Sequence, residues 1–165
     1  MSTAATSSQQ TLVERLDRLE SREQIAELLA DYAAGFDLQD REALARVWHE
    51  DAQLDLGDVF GTYDGRQAIL EIVETFYEKT PSMHHWVATP SIRIDGDRAT
   101  GVMGVDCFIQ HVGQGPAMIA GTYYDEYERR EGRWGIVRRR FDMHYLTPMK
   151  DWVPKFGSHK LNDSR

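Results

Sequence analysis

The sequence of 165 residues has little of what several protein classes require. Its single cysteine, Cys107, supports neither a disulfide framework nor a cysteine-based zinc site. No run approaches the roughly 18 consecutive apolar residues that a membrane-spanning helix needs. Basic residues are outnumbered, with Lys+Arg 19 against Asp+Glu 27 and a net charge of -8. That sign is wrong for a phosphate-backbone binder, so we expect no nucleic-acid partner and no membrane partner.

Cofactor and metal motifs are also missing. There is no Gly-x-Gly-x-x-Gly fingerprint and no Walker loop, so nucleotide-dependent hydride or phosphoryl transfer is not expected. The neighbouring histidines His84 and His85 face opposite ways if they lie on a strand, so they cannot converge on one metal ion. The sequence therefore predicts neither a metal nor a cofactor.

The two ends of the chain differ in composition from its middle. Residues 1–10 lack both a basic start and an apolar run, which predicts a disordered leader instead of a signal peptide, and hence a cytoplasmic protein. Residues 149–165 carry bulky apolar side chains such as Trp152 among polar ones, and we expect this tail to cover a pocket or a neighbouring subunit. Between these ends, a single domain is predicted over residues 11–148.

Helical periodicity dominates the first part of the chain. The apolar positions that recur at helical spacing are Ile25, Leu28, Leu29, Tyr32 and Phe36. Ser21, with Gln24 three residues later, has the pattern of a capping box, which predicts a short helix before Ser21 and a longer one after it. Asp40 can cap a third helix over residues 41–51. Three short helices are therefore expected first.

The rest of the chain is mostly strand-like. Residues 52–57 and 59–65 predict a strand pair joined by a turn, and residues 66–79 return to helical spacing. Long strand-like runs follow, separated by turn signals such as Asp-Gly and Glu-Gly, over residues 84–94, 99–112, 117–130 and 134–148. This order predicts an α+β fold, in which a curved antiparallel sheet is closed by the N-terminal helices.

One strand carries a charge on its apolar face. Counted by twos, that face holds Val137, Arg139, Phe141, Met143 and Tyr145, so Arg139 is its only charged residue. A buried guanidinium is costly unless it is paired. Arg139 therefore forms a structural salt bridge, turns outward at a bulge, or anchors an anionic group.

Three further positions have both a structural and a functional explanation. Asp37, at the end of the second predicted helix, is either a helix-end turn residue or a polar partner of Arg139. Tyr32 lies in the apolar stripe, where a phenol either packs in the core or offers its hydroxyl to a site. Of His84 and His85, at most one can face a cavity, and a lone histidine there can also be a core residue.

Several of these features occur together in one known family. A Tyr and an Asp lie near the end of the second predicted helix, a His opens the strand before "IRIDGDRAT", and "GTYYDEYERREGRWGI" leads into "RRRFDMHYLTP". The chain thereby resembles the SnoaL-like branch of the nuclear transport factor 2-like superfamily, particularly the group of hexachlorocyclohexane dehydrochlorinase, scytalone dehydratase and bile-acid 7α-dehydratase. The resemblance implies a cone-shaped α+β barrel with a deep pocket, commonly a homotrimer, that works without metal or cofactor.

The resemblance also implies roles for individual residues. The family's catalytic His-Asp pair falls on His85 and Asp37, with His84 as the alternative histidine, and its late arginine falls on Arg139. Tyr32 matches the tyrosine of the bile-acid dehydratase, where the dehydrochlorinase has a lysine, which favours a substrate oxygen held by a phenol. The aromatic residues predicted for the pocket wall, or otherwise for the core, are Trp48, Phe60, Trp86, Phe108, Tyr123 and Phe141.

Residues and resemblance together predict a cofactor-independent lyase for a hydroxylated, ring-bearing small molecule, aromatic or steroid-like, as in aromatic compound catabolism. β-Elimination of water and retro-aldol C–C cleavage both need a base and an oxygen clamp, so both stay open. Two other classes are compatible with this fold. One is an isomerase or cyclase of the ketosteroid-isomerase or polyketide-cyclase type, and the other is a non-catalytic small subunit of a ring-hydroxylating dioxygenase.

Overall fold

The computed structural model describes residues 11–150, so the predicted leader and the predicted tail from residue 151, with Trp152, lie outside the described part of the chain. Within that range the chain forms four helices: α1 (Leu12–Asp37), α2 (Arg41–Val47), α3 (Gly57–Phe60) and α4 (Arg66–Lys79). None of these four is long and apolar enough to cross a lipid bilayer.

Helix α1 is one continuous helix of 26 residues, so the predicted break at Ser21 is wrong. The capping box lies at the true start of the helix, where the Glu14 N–H donates to the Thr11 hydroxyl at 3.2 Å and the Thr11 N–H donates to the Glu14 carboxylate at 2.8 Å. The buried Ser21 hydroxyl instead accepts a hydrogen bond from Arg129 at 3.3 Å. A serine inside a helix is tolerated when its hydroxyl has such a partner elsewhere in the fold.

The other predicted helices are present. The Asp40 carboxylate caps α2 as expected, since it accepts from the Ala43 N–H at 2.9 Å. Helix α2 ends at Val47 and not at residue 51, because the chain from Trp48 onward pairs with the sheet. Helix α4 spans the predicted residues and buries an apolar stripe, consisting of Ile69, Leu70 and Val73, against the rest of the core.

Within residues 11–150, six strands form one sheet. They are β1 (Trp48–Asp55), β2 (Thr62–Asp64), β3 (Ser82–Asp95), β4 (Arg98–His111), β5 (Gly115–Arg130) and β6 (Arg133–Pro148). Their order is β2-β1-β6-β5-β4-β3. The α+β fold with a curved sheet is confirmed, but β2 and β3 form two edges, so the sheet is not closed into a barrel.

The sheet is antiparallel except at one pair. Strands β3 to β6 follow one another as hairpins, as the turn signals predict. Strand β1 pairs with β6 in parallel, so the expectation of a purely antiparallel sheet is wrong at this point. Because two helices and four strands separate β1 from β6 in the chain, no tight turn dictates the direction of that pair.

Strands β5 and β6 bury an ion pair. Asp125 lies opposite Arg139 in the strand register, and its carboxylate accepts from Arg139 Nε at 2.8 Å and from Nη2 at 2.6 Å. Both side chains are 0% exposed. The Tyr127 hydroxyl donates to the same carboxylate at 2.6 Å. Arg139 thus forms a structural salt bridge, which is one of the three explanations that the sequence left open for this residue.

Two tyrosine rings face this guanidinium. The Arg139 Cζ atom lies 4.0 Å from the centroid of the Tyr32 ring and 4.3 Å from that of the Tyr123 ring. Such contacts are strongest where water is excluded. Because Tyr32 belongs to α1 and Tyr123 to β5, the buried cation joins the long helix to the sheet. Its Nη1 is buried and has no hydrogen-bond partner within residues 11–150.

We expect Asp125→Asn and Arg139→Met each to lower the free energy of unfolding by about 3–5 kcal/mol, because each leaves a buried charge unpaired. Removing both charges, with Asp125→Leu and Arg139→Met together, should cost much less than the sum of the two single changes. Urea unfolding followed by tryptophan fluorescence measures all three.

Glu126→Gln is the matched control for this prediction. Glu126 and Arg138 are the neighbouring pair on the same two strands, but they are 3.8 Å apart and about half exposed. Such a surface pair contributes at most about 1 kcal/mol. Equal losses in Asp125→Asn and Glu126→Gln would contradict a structural role of the buried pair.

Candidate active site

A cavity of about 410 Å³ lies between the sheet and helices α1, α3 and α4. Most of its wall is apolar, with side chains such as Phe36, Leu56 and Ile119. Val59 and Lys79 line it and are exposed, so they mark its mouth. A cavity of this size, mostly apolar with a few polar groups, is typical of a small-molecule site.

A histidine and an aspartate meet at the wall of this cavity. His85 Nδ1 lies 2.6 Å from Asp37 Oδ1, and the His85 backbone N–H donates to Asp37 Oδ2 at 2.8 Å. Because an ionised carboxylate only accepts hydrogen bonds, Nδ1 carries the proton in this pair and the Nε2 lone pair is left free. His85 lines the cavity, and Nε2 has no hydrogen-bond partner within residues 11–150.

The two neighbouring histidines are separated by strand alternation. His84 has a 58% exposed side chain, and its Nδ1 lies 3.5 Å from Asp37 Oδ2. Its ring packs against Trp86, with centroids 4.2 Å apart, on the other side of β3. Because successive strand residues face opposite ways, His85 lines the cavity and His84 does not.

Two phenols lie beside the dyad. Tyr32 and Tyr123 both line the cavity, and their hydroxyl oxygens are 3.4 Å apart. Burial raises the pKa of each phenol above its usual value, while the nearby Arg139 guanidinium partly offsets the rise. Both hydroxyls therefore stay protonated at neutral pH and can donate hydrogen bonds. The Tyr32 ring packs edge-on against His85, with centroids 6.2 Å apart.

Arg139 stands behind these phenols and is not among the residues that line the cavity. Neither its partner Asp125 nor Tyr127 was predicted from the sequence. A signal was present, because Tyr123, Asp125 and Tyr127 alternate on one face of β5 and Asp125 is the acid in that row. Asp37 likewise acts from behind His85 and does not itself line the cavity.

Three of the six predicted wall aromatics line the cavity, namely Phe60, Tyr123 and Phe141. The other three lie elsewhere. Trp48 is fully buried in the core, with its ring 6.0 Å from that of Tyr32. Trp86 and Phe108 pack on each other, with centroids 5.2 Å apart, on the outer face with His84, because Phe108 pairs with His84 and Trp86 lies two residues further along the same face of β3.

Possible metal ligands do not converge. Within residues 11–150, no three His, Cys, Asp or Glu side chains are placed to hold a metal ion. Cys107, which was not predicted as a site residue, lies opposite His85 in the β3–β4 register and lines the cavity. Burial raises the pKa of its thiol to about 12.

We expect the Cys107 thiol to react slowly with a disulfide reagent in the folded protein. Its raised pKa keeps it protonated at pH 8, and the thiolate is the reactive form. Reaction with Ellman's reagent at pH 8 should be at least about 100-fold slower in buffer than in urea. The variant Cys107→Ala serves as the blank. A native rate equal to the rate in urea would contradict the burial of this thiol.

The chain is similar in sequence to several bacterial proteins. Hexachlorocyclohexane dehydrochlorinase 1 of Sphingobium indicum is 32% identical over 139 residues, which are 81% of this chain and 88% of that protein. An uncharacterised protein of Mycobacterium tuberculosis is 32% identical over 137 residues, which are 78% of this chain and 86% of that protein.

Solved structures and a family model indicate the same group of proteins. A type 2 hexachlorocyclohexane dehydrochlorinase (LinA) superposes with a TM-score of 0.81 at 28% identity, covering 89% of this chain and 99% of the other. A putative scytalone dehydratase of Novosphingobium aromaticivorans, at 20% identity and a TM-score of 0.74, covers 82% and 91% of the two chains and shares the fold. A SnoaL-like domain matches residues 17–140. The chain belongs to the SnoaL-like family of the nuclear transport factor 2-like fold.

Proposed function

We propose that this chain is a cofactor-independent lyase in which His85 is the general base. The observation that carries the proposal is the His85–Asp37 pair at the wall of an apolar cavity, with the His85 Nε2 lone pair free. Similarity to proteins named as dehydrochlorinases supports a lyase-type function. The substrate we propose is a hydroxylated, ring-bearing molecule, aromatic or steroid-like, because the cavity combines aromatic walls with two phenol donors.

In this mechanism Nε2 of His85 removes a proton from a carbon or a hydroxyl of the substrate. The Asp37 carboxylate holds the required tautomer through its 2.6 Å contact with Nδ1 and stabilises the imidazolium that forms. The hydrogen bond from the His85 backbone N–H to the same carboxylate keeps the pair in register with β3. The base is therefore oriented before substrate enters.

The oxygen that leaves, or that gains negative charge, is held by Tyr32 and Tyr123. Both phenols are buried, protonated donors, and such hydrogen bonds are strongest where water is excluded. Arg139 is a positioning residue in this proposal, because it lies behind the rings and not at the cavity surface. Its positive charge favours negative charge on an oxygen bound by the two phenols.

Two lyase reactions use these parts. In β-elimination, His85 takes a proton from carbon, the C–O bond breaks, and the departing hydroxyl, held by the phenols, takes up that proton to leave as water. In a retro-aldol cleavage, His85 takes the proton of a hydroxyl, the C–C bond breaks to give a carbonyl and an enolate held by the phenols, and the enolate then takes up the proton from His85. Product masses distinguish them, since one product differs from substrate by one water and the other reaction yields two fragments.

The two alternative functional classes predict a different product mass or a different interior. An isomerase or cyclase would leave the product mass equal to that of the substrate. A small subunit of a ring-hydroxylating dioxygenase would have a filled interior and would need a larger partner, and the 410 Å³ cavity with an oriented dyad favours an enzyme instead.

We further propose a homotrimer, as the resemblance implies, and a cytoplasmic location, as the composition predicts. Trp86, Val102 and Tyr124 are each more than a third exposed on the face of the sheet opposite the cavity, and such a surface suits a subunit contact. Light scattering coupled to size exclusion should give three times the chain mass of 19.0 kDa. A monomeric mass would contradict the trimer and would leave the catalytic proposal standing.

We expect His85→Ala and Asp37→Asn to lower kcat by about 10² to 10⁴-fold with the fold intact. Turnover is measured on a panel of hydroxylated aryl ketones and steroids by mass spectrometry, and folding by circular dichroism. His84→Ala is the matched control, because His84 adjoins His85 and approaches the same carboxylate from outside the cavity. Full turnover in both His85→Ala and Asp37→Asn would overturn the mechanism.

A further inference from the structure

The cavity has a polar end that the proposed mechanism does not use. Thr75, Lys79 and Thr80, at the end of α4, line the cavity together with His111, the last residue of β4. We call these four residues the α4 rim. The Val112 N–H donates to the Lys79 carbonyl at 2.8 Å, which holds the ends of α4 and β4 together.

The charge of the cavity lining is opposite to that of the protein. The chain has a net charge of -8, yet no Asp or Glu is among the described residues that line the cavity. Lys79 is the one Lys or Arg in that lining. It forms no ion pair within residues 11–150, so its ammonium is available at the mouth. Glu78, beside it in the chain, is exposed and does not line the cavity.

A second, independent feature of the α4 rim is an unpaired donor position. His111 Nδ1 is buried and has no hydrogen-bond partner within residues 11–150. A buried polar atom is normally paired, so an unpaired one in a residue that lines the cavity is a candidate partner for a ligand. Nδ1 itself has almost no accessible surface, so the His111 ring has to turn toward the cavity before it can donate a hydrogen bond to a bound oxygen. The hydroxyls of Thr75 and Thr80 add neutral donors at the same end.

Two carbonyls at the C-terminal end of α4 have hydrogen-bond partners. The Phe76 carbonyl accepts from the Thr80 N–H at 2.8 Å, and the Lys79 carbonyl accepts from the Val112 N–H at 2.8 Å. The free carbonyls of a helix C-terminus carry partial negative charge. The Lys79 ammonium opposes that charge at the α4 rim.

We propose that the substrate carries a carboxylate, at the end remote from the reacting carbon, and that Lys79 and His111 of the α4 rim bind it. This inference rests on the proposed function for the position of the reacting carbon at His85. Apolar side chains such as Phe76 and Ile109 also line the cavity and suit the ring between carboxylate and dyad. The substrate class is thus a hydroxylated, ring-bearing carboxylic acid.

Binding of two matched probes tests the carboxylate site without turnover. The probes are 3-(4-hydroxyphenyl)propanoate and its primary amide, which have nearly the same size and differ in charge. Calorimetry or tryptophan quenching gives Kd for each. We expect the acid to bind at least about tenfold more tightly than the amide, with a preference that falls as salt is added. Equal Kd values, or no binding of either probe at about 10 mM, would overturn the site.

Variants assign the preference to the α4 rim. Lys79→Met and His111→Phe should each weaken binding of the acid and leave binding of the amide nearly unchanged, while Lys79→Arg keeps the charge and most of the preference. Arg66→Met is the matched control, because it removes one positive charge from the other end of α4, outside the cavity. Equal effects of Lys79→Met and Arg66→Met would show a general charge effect and refute the site.

Failure of the carboxylate site can be distinguished from failure of the catalytic proposal. His85→Ala should abolish turnover and leave the acid-to-amide ratio of Kd values intact, whereas Lys79→Met should lower that ratio and raise KM more than it lowers kcat. An unchanged acid-to-amide ratio of Kd values together with full turnover in His85→Ala would contradict only the catalytic mechanism. Equal Kd values for the acid and the amide in the wild type would contradict only the carboxylate site.

Discussion

The buried pair of Asp125 and Arg139 is the interaction on which the rest of this structure depends. A guanidinium with no exposed surface is tolerated only when its charge is matched, and the two hydrogen bonds of 2.8 and 2.6 Å from one carboxylate provide that match. The pair joins β5 to β6, and the ring of Tyr32 brings α1 onto the same cation. The long helix, the sheet and the phenol wall of the cavity are thereby held in one arrangement.

The cavity derives its chemical character from the separation of charges in the fold. Acidic residues are numerous, but many of them pair with arginines outside the cavity, as Arg129 does with Asp17 and Asp97. Asp37 is the acid nearest to the proposed chemistry, and His85 covers it with both its ring and its backbone N–H. The polar groups that line the cavity include the His85 imidazole, the phenols of Tyr32 and Tyr123 and, at the mouth, the Lys79 ammonium. This arrangement can accept a proton at one point and hold negative charge at others.

Local patterns predicted most elements of the fold, and they failed where a tertiary contact outweighed them. The bounds of α4, the Asp40 cap and the hairpins from β3 to β6 follow from spacing and turn residues. Ser21 has the residues of a capping box, but Arg129 uses its hydroxyl and the helix continues. The parallel pairing of β1 with β6 has no local signal, since two helices and four strands separate the two strands in the chain and their packing decides the pairing.

Alternation along a strand was enough for the sequence to place His84 and His85 on opposite faces and to select Arg139 as the inward arginine, because a side chain's face depends only on its neighbours in the chain. The choice of His85 over His84 rested on the family resemblance, and the structure places His85 at the cavity. Alternation alone could not predict the partner of Arg139. The hairpin turn alone would set Asp125 opposite Arg138, but an irregularity between Glu126 and Tyr127 shifts the register by one residue and brings Asp125 to Arg139. Only the tertiary structure decided that contact, and with it the place of Arg139 behind the phenols, because register and packing depend on residues far apart in the chain.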